Sequence, residues 1–187
     1  MSHVPPGFFE RDPSFGVFMK DQQGDDGHND RYVDIVSKYQ TVAHIYGHTH
    51  TDSFRIFKAN VTGVAFVAPS ITPDVNGQLG TNPSVRLYTY TNQSDYLDNY
   101  QQFYMDLNLA NTESEITWQL LYDFKKSYKV PDLSVKSVMS VLNEVIASDE
   151  SLHTFLQLNT VNKVNGPCKS ASSIMRITHN IRQKFRT

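Results

Sequence analysis

Four short strand-type runs follow one another between Thr41 and Tyr90, and they limit what this chain can fold into. They are "TVAHIY" (41–46), "FRIFK" (54–58), "VAFVAP" (64–69) and "SVRLYTY" (84–90). Each is rich in β-branched and aromatic residues, is too short for a stable helix, and is set off by turn-forming stretches rich in Gly, Asn, Asp or Pro. Isolated strands of this length are not stable, so the runs demand a sheet. Tyr100–Leu107 predicts a further strand, with Phe103, Met105 and Leu107 alternating onto one face. From Glu113 the texture becomes helical. Trp118, Leu121 and Phe124 share one helical face, with Tyr128 a turn further on. Ser134 caps a run with Val135, Val138, Met139, Leu142 and Ile146, and Ser148 caps another with Leu152, Phe155 and Leu156. A last helix over Ser170–Phe185 aligns Ile174, Ile177, Ile181 and Phe185, opposite Lys169, Arg176, Arg182, Lys184 and Arg186. An earlier helix, capped by Asp30, carries Tyr32, Val33, Val36 and Tyr39. The chain therefore reads as α/β, with a β-rich part over 1–110 and a helical part over 111–187.

The formal net charge of −2 gives no electrostatic reason for a nucleic-acid partner. No apolar run approaches the roughly 18–20 residues of a membrane span. The opening "MSHVPPGFFERD" lacks the basic-then-apolar pattern of a signal peptide, which read literally implies a cytosolic chain. Cys168 is the single cysteine, so no internal disulfide can form. Two sequons, at Asn60 and Asn92, point instead to a secreted lineage.

The chemistry-bearing residues are histidines. In Gly47-His48-Thr49-His50-Thr51-Asp52 two imidazoles stand one residue apart, just past the C-terminal end of a predicted strand. That is where α/β folds place their chemistry. His3 precedes a rigid Pro5-Pro6-Gly7 turn that would fix its direction. Imidazole is the commonest side-chain ligand for transition metals, so His3, His48 and His50 are candidate metal ligands. The competing reading makes all three loop histidines that bond to their neighbours. His28 reads as solvated, His44 as paired locally within its strand, and His153 and His179 as helix-surface residues. Asp21, Asp25, Asp26 and Asp30 lack the spacing of a calcium loop. Cys168 has no base placed near it and reads as structural. The basic face of the last helix reads as a solvated face before it reads as a lipid or phosphate surface.

"HVPPG" (3–7) followed by "GHTHTDSF" (47–54) resembles the acid sphingomyelinase-like phosphodiesterases, a branch of the calcineurin-like metallophosphoesterases. The resemblance continues through "NDRYVDIVSKY" (29–39), "VAFVAPSITP" (64–73), "TNPSVRLYTY" (81–90), "YMDLNLAN" (104–111) and "YKVPDLSVKSV" (128–138). It implies the C-terminal half of a two-sheet sandwich flanked by helices (1–110), followed by a helical C-terminal subdomain (111–187). It also implies a two-zinc site in which His3 and His48 hold one ion and His50 the other. Asp52 would support an imidazole or structure its loop. The implied activity is hydrolysis of phosphodiesters, either sphingomyelin-like lipids or nucleotide-type compounds. The implied location is extracellular or lysosomal.

The sequence also departs from that family. The family's Asp-x-His pair, bridging Asp and Asn-His motif lie upstream of the His-Val-Pro-Pro-Gly turn, where this sequence has Met1 and Ser2. Family cysteines near the C-terminus pair as disulfides, and here Ser172 stands where a second cysteine is expected. The implied enzyme is thus a fragment lacking upstream ligands. The alternatives are a non-catalytic truncated paralogue that binds a partner or itself through an exposed sheet edge, and a one-zinc site of His3, His48, His50 and a water.

Overall fold

The computed structural model describes residues 1–7, 19–20, 24, 27–39, 41, 43–58, 62–73, 80–92, 97–114 and 116–163. The predicted last helix with its basic face, Cys168, Ser172, His179, Asn60, Asp21, Asp25 and Asp26 lie outside these residues.

The chain is α/β and carries two three-stranded sheets. A first helix, α1 (Gly27–Val36), precedes them. In the first sheet β3 (Thr62–Val67) is central, with β1 (His44–Tyr46) parallel to it and β2 (Ser53–Lys58) antiparallel. Val64 to Val67 are all buried, as the continuous apolar run "VAFV" requires of a strand covered on both faces. One face of β3 contributes Val64 and Phe66 to the main core, and the other sets Ala65 and Val67 beside Tyr46 and Tyr32 of α1. Asp30 lies in the first turn of α1 and is not its cap, because the helix starts four residues earlier than expected, at Gly27.

The second sheet is antiparallel, with β5 (Leu97–Met105) between β4 (Ser84–Tyr90) and β6 (Trp118–Asp123). A short helix, α2 (Leu107–Glu113), joins β5 to β6 and is capped by Asp106, which accepts from the amides of Asn108 and Leu109. β6 corrects the helix expected across Trp118–Tyr128. A bulge opposite Gln102/Phe103 pairs Phe103 with Leu120 and Gln102 with Tyr122, leaving Leu121 between them. That extra residue breaks the two-residue alternation and produces the three-residue apolar spacing that resembles a helix. The helix proper, α3 (Phe124–Tyr128), begins only after Asp123 caps it by accepting from the Lys126 amide. The second sheet therefore runs across the boundary expected at 110/111.

α4 (Val135–Ala147) and α5 (Asp149–Asn159) form as expected, with Ser134 and Ser148 as their N-caps. Their apolar stripes, Val138, Val141, Leu142 and Val145 with Leu152, Phe155 and Leu156, complete the main core against both sheets. Phe124 sits at its centre, fully buried, 4.9 Å from the Tyr100 ring and 6.3 Å from Phe54.

A buried ion pair joins the two sheets. Asp52, one residue before β2, meets Arg86 of β4, with Oδ1 2.5 Å from Nη2. This nitrogen makes no hydrogen bond of good geometry, so the contact is ionic. Tyr122 of β6 donates its hydroxyl to Asp52 Oδ2 at 2.8 Å. Arg86 also donates from Nε to Gln102 Oε1 at 2.7 Å and lies with Cζ 4.0 Å from the Tyr100 ring centre. Burial pushes the Asp52 carboxyl up, against the pull of Arg86 and the tyrosine hydroxyl. Arg86 is held well above its ordinary value by Asp52 despite its own burial. The Arg86 guanidinium, fixed as a cation beside Asp52, favours the charged carboxylate.

These packing relations set two expectations, both read from urea unfolding. Phe124→Ala should cost about 3–5 kcal/mol, as for large-to-small changes in a closed core. Leu120→Thr, on the exposed side of β6, should stay within about 0.5 kcal/mol. Arg86→Met should cost about 3–5 kcal/mol, because it strands a buried carboxylate. Removing both charges in Asp52→Asn/Arg86→Met should cost less than Arg86→Met alone.

Candidate metal-binding loop

The loop that leaves β1 alternates its side chains as a strand would. His48 is exposed, Thr49 buried, His50 half-buried and Thr51 buried. The two inward threonines share a hydrogen bond between their hydroxyls at 2.8 Å. This pattern turns both imidazoles outward from a tethered base. The backbone is unusual at both histidines. His48 has φ +74° and His50 φ +55°, each in the left-handed region. The Thr49 amide donates to Gly47 O at 2.9 Å, so His48 is the centre of a γ-turn of the rare, strained type. Left-handed residues other than glycine cost about 1–3 kcal/mol each and persist only where the surroundings over-determine them.

The His3 segment lies against this loop. The Ser2 amide donates to Ile45 O, and the Gly47 amide donates to His3 O, both at 3.1 Å. The turn after His3 is held twice more. Arg55 of β2 donates from Nη1 to Pro6 O at 2.6 Å, and the Gly7 amide donates to Asn29 Oδ1 of α1 at 2.7 Å. Gly7 has φ +86°, which explains a glycine after the two prolines.

These contacts bring His3 and His48 together across 45 residues of sequence, with His48 Nδ1 3.2 Å from His3 Nε2. The rings meet edge to face with centres 5.0 Å apart. Burial, and then the charges of His3, His50 and Arg55, holds the His48 imidazole below the ordinary histidine range, toward the neutral form that binds metal. The nitrogen separation is close to the roughly 3.3 Å between two nitrogens bound at about 2.0–2.1 Å to one tetrahedral zinc. The two rings are within hydrogen-bond distance and bond to each other here, and the same separation is one that two ligands of a single ion could share. His50 is not gathered with them: among the described residues no group of three or more His, Cys, Asp or Glu side chains could hold a metal ion. The residues present fit part of a metal shell.

Asp52 turns its carboxylate into the core, onto Arg86 and Tyr122, which is the loop-structuring arrangement. The other described histidines behave as local residues. His44 Nε2 pairs with the Thr41 hydroxyl at 2.8 Å, His28 Nδ1 lies 3.0 Å from Lys20 O, and His153 is exposed on α5. Arg55 and Asn29, which fix the His3 turn, carry no signal in the sequence beyond their place within the motif-bearing segments. Asn92 is exposed in the turn after β4.

Comparison with known proteins finds relatives along most of the chain. Residues 60–162 match the family model for the acid sphingomyelin phosphodiesterase C-terminal region. Human acid sphingomyelinase-like phosphodiesterase 3b is 30% identical over 189 residues, covering 95% of this chain and 40% of that protein. Sphingomyelinase phosphodiesterase C of Dictyostelium discoideum is 31% identical over 193 residues, covering 94% and 40%. Cyclic GMP-AMP phosphodiesterase SMPDL3A of Bos taurus is 32% identical over 151 residues, covering 77% and 32%. The chain thus spans about two fifths or less of the length of these relatives. With more than half of its residues matched by the family model, the chain belongs to the acid sphingomyelin phosphodiesterase family, of which it carries the C-terminal region.

Proposed function

We propose that this chain supplies the C-terminal share of the active site of a zinc-dependent phosphodiester hydrolase. The observation that carries this reading is the 3.2 Å approach of His48 Nδ1 to His3 Nε2, built by two motif segments far apart in sequence. His3 and His48 hold one zinc and His50 a second, and residues outside this chain complete both shells. A zinc pair makes hydroxide available near neutral pH and neutralises charge on phosphate oxygens. The chain's own part is to hold His3 and His48 side by side on a fixed backbone, so that less reorganisation is needed when an ion binds. The substrate is a phosphodiester, of the sphingomyelin type or the cyclic dinucleotide type named for its relatives. The complete protein works in an extracellular or lysosomal compartment, in keeping with an exposed Asn92 able to carry a glycan. On secretion the protein should shift in mass on endoglycosidase treatment, and Asn92→Gln should reduce that shift.

A second reading rests on the outer face of the second sheet. Val85, Leu87, Trp118 and Leu120 are all exposed there. In that reading the chain is a non-catalytic module that uses this face to bind a partner or a second copy.

Elemental analysis and a chromogenic phosphodiester assay separate the two readings. The purified chain should hold less than a full complement of zinc and show little turnover. Fused to the upstream part of human acid sphingomyelinase-like phosphodiesterase 3b, it should bind two zinc ions per chain. The fusion should hydrolyse the substrate, and a chelator or His48→Ala should abolish that activity. A folded, zinc-free, inactive fusion would leave the module reading.

A further inference from the structure

We propose that Asn159, the last residue of α5, is a positioning residue for the His48–His50 loop, and that it sets the approach of His48 to His3 through the backbone of Asp52. The proposal matters for function only if these imidazoles bind metal, as read above, but its test needs no metal.

Asp52 is gripped at both of its backbone polar groups by one residue. Its amide donates to Asn159 O at 3.2 Å, and its carbonyl accepts from Asn159 Nδ2 at 2.8 Å. The two residues are 107 apart in sequence, and both are buried. The division of labour is clear. Arg86 and Tyr122 hold the Asp52 carboxylate, whereas Asn159 holds the planes of the peptides on either side of it.

Those peptides close the loop on its C-terminal side. On the N-terminal side, Gly47 is fixed by its bond to His3 O, and Tyr46 O accepts from the Ala68 amide at 2.8 Å. Between these two anchors stand two left-handed histidines. Such residues relax toward ordinary backbone conformations unless both ends are held. Removing the Asn159 amide leaves a buried carbonyl without its donor and lets the peptide after Asp52 turn, while Arg86 and Tyr122 still hold the side chain. The ring of His48 then leaves His3.

The end of α5 is itself built to hold Asn159 in place. Val161 has φ +52° and Asn162 φ +55°, and Val161 is fully buried. A β-branched residue in this region is a real outlier. Asn82 secures the turn, donating from Nδ2 to Val161 O at 3.0 Å while its Oδ1 accepts from the Leu107 amide at 3.3 Å. A strained turn after the helix thus faces a strained loop after the strand, and Asn159 joins them.

The test uses the metal-free, full 187-residue chain. Asn159→Leu keeps the side-chain size and the backbone bond but removes the amide donor. Leu152→Ala, a buried change in the same helix, controls for destabilisation. NMR of the imidazoles reads cross-ring contacts between His3 and His48 and the tautomer of each ring. The contact should be present in the unmodified chain and in Leu152→Ala, and lost in Asn159→Leu with a change in His48 tautomer or nitrogen shift. A folded Asn159→Leu that keeps the contact, or a Leu152→Ala that loses it equally, overturns the proposal. Should Asn159→Leu not fold, hydrogen exchange on the unmodified chain decides. The Asp52 amide should open together with the Thr160 amide near the end of α5, and exchange about tenfold faster or more would overturn it. Metal binding enters neither measurement, so a failed zinc reading and a failed clamp are distinguishable.

Discussion

The ion pair between Asp52 and Arg86 decides how the two sheets face each other. It also explains a pleat that runs against hydrophobic alternation. In β4 the apolar Val85 and Leu87 point outward, and Arg86 points inward. Shifting the strand by one residue would bury the apolar pair and expel the arginine. Both side chains are about half exposed, so burying the rest would gain about 2 kcal/mol together. Stranding the Asp52 carboxylate would cost about 3–5 kcal/mol. The charge wins, and β5 and β6 follow it. Gln102, Tyr100 and Tyr122 line the inner face because they satisfy or cover the pair. Burial drives the Tyr100 and Tyr122 phenols up, so both remain protonated, and the Tyr122 hydroxyl serves Asp52 as a donor.

The same pair determines where the histidines stand. Asp52 is two residues from His50 and is the last residue before β2. Its anchoring gives the loop a fixed exit, and the bonding of the His3 segment to Ile45 and Gly47 gives it a fixed entrance. A loop held at both ends can store left-handed backbone at His48 and His50, which a free loop would not keep. Pre-strained histidines suit metal binding because the ordering cost is met in folding. The alternation of buried threonines with outward histidines is the side-chain half of the same device.

Much of the architecture was legible because it rests on local chemistry. The caps at Ser134 and Ser148, the apolar stripes of α4 and α5, and the β3 run each declare themselves within a few residues. The histidine motifs were legible in kind, and the pairing of His3 with His48 follows the resemblance. What escaped the sequence depends on distant partners. β6 was hidden because its bulge exists only in register with β5. The inward arginine of β4 makes sense only once Asp52 is placed beside it. Asn159 sits at the end of an amphipathic helix like any polar terminal residue, and only the fold brings it to Asp52, 107 residues away. Asn29 and Arg55 hold the His3 turn by the same kind of long-range contact.

The inner face of the second sheet holds the charge among Leu97, Tyr100 and Tyr122, and further apolar residues stand on its outer face. Val85, Phe103 and Leu120 pair in a single row across all three strands, and Met105 and Trp118 form the next. A contiguous row of this kind is unusual for a surface that meets only water. At the histidine loop two imidazoles meet, and no third metal-capable group joins them among the described residues. The chain carries the C-terminal region of its family. The ion pair, the clamp at Asp52 and the His3 turn are all made among the described residues, so the loop is ordered by contacts that neither surface supplies.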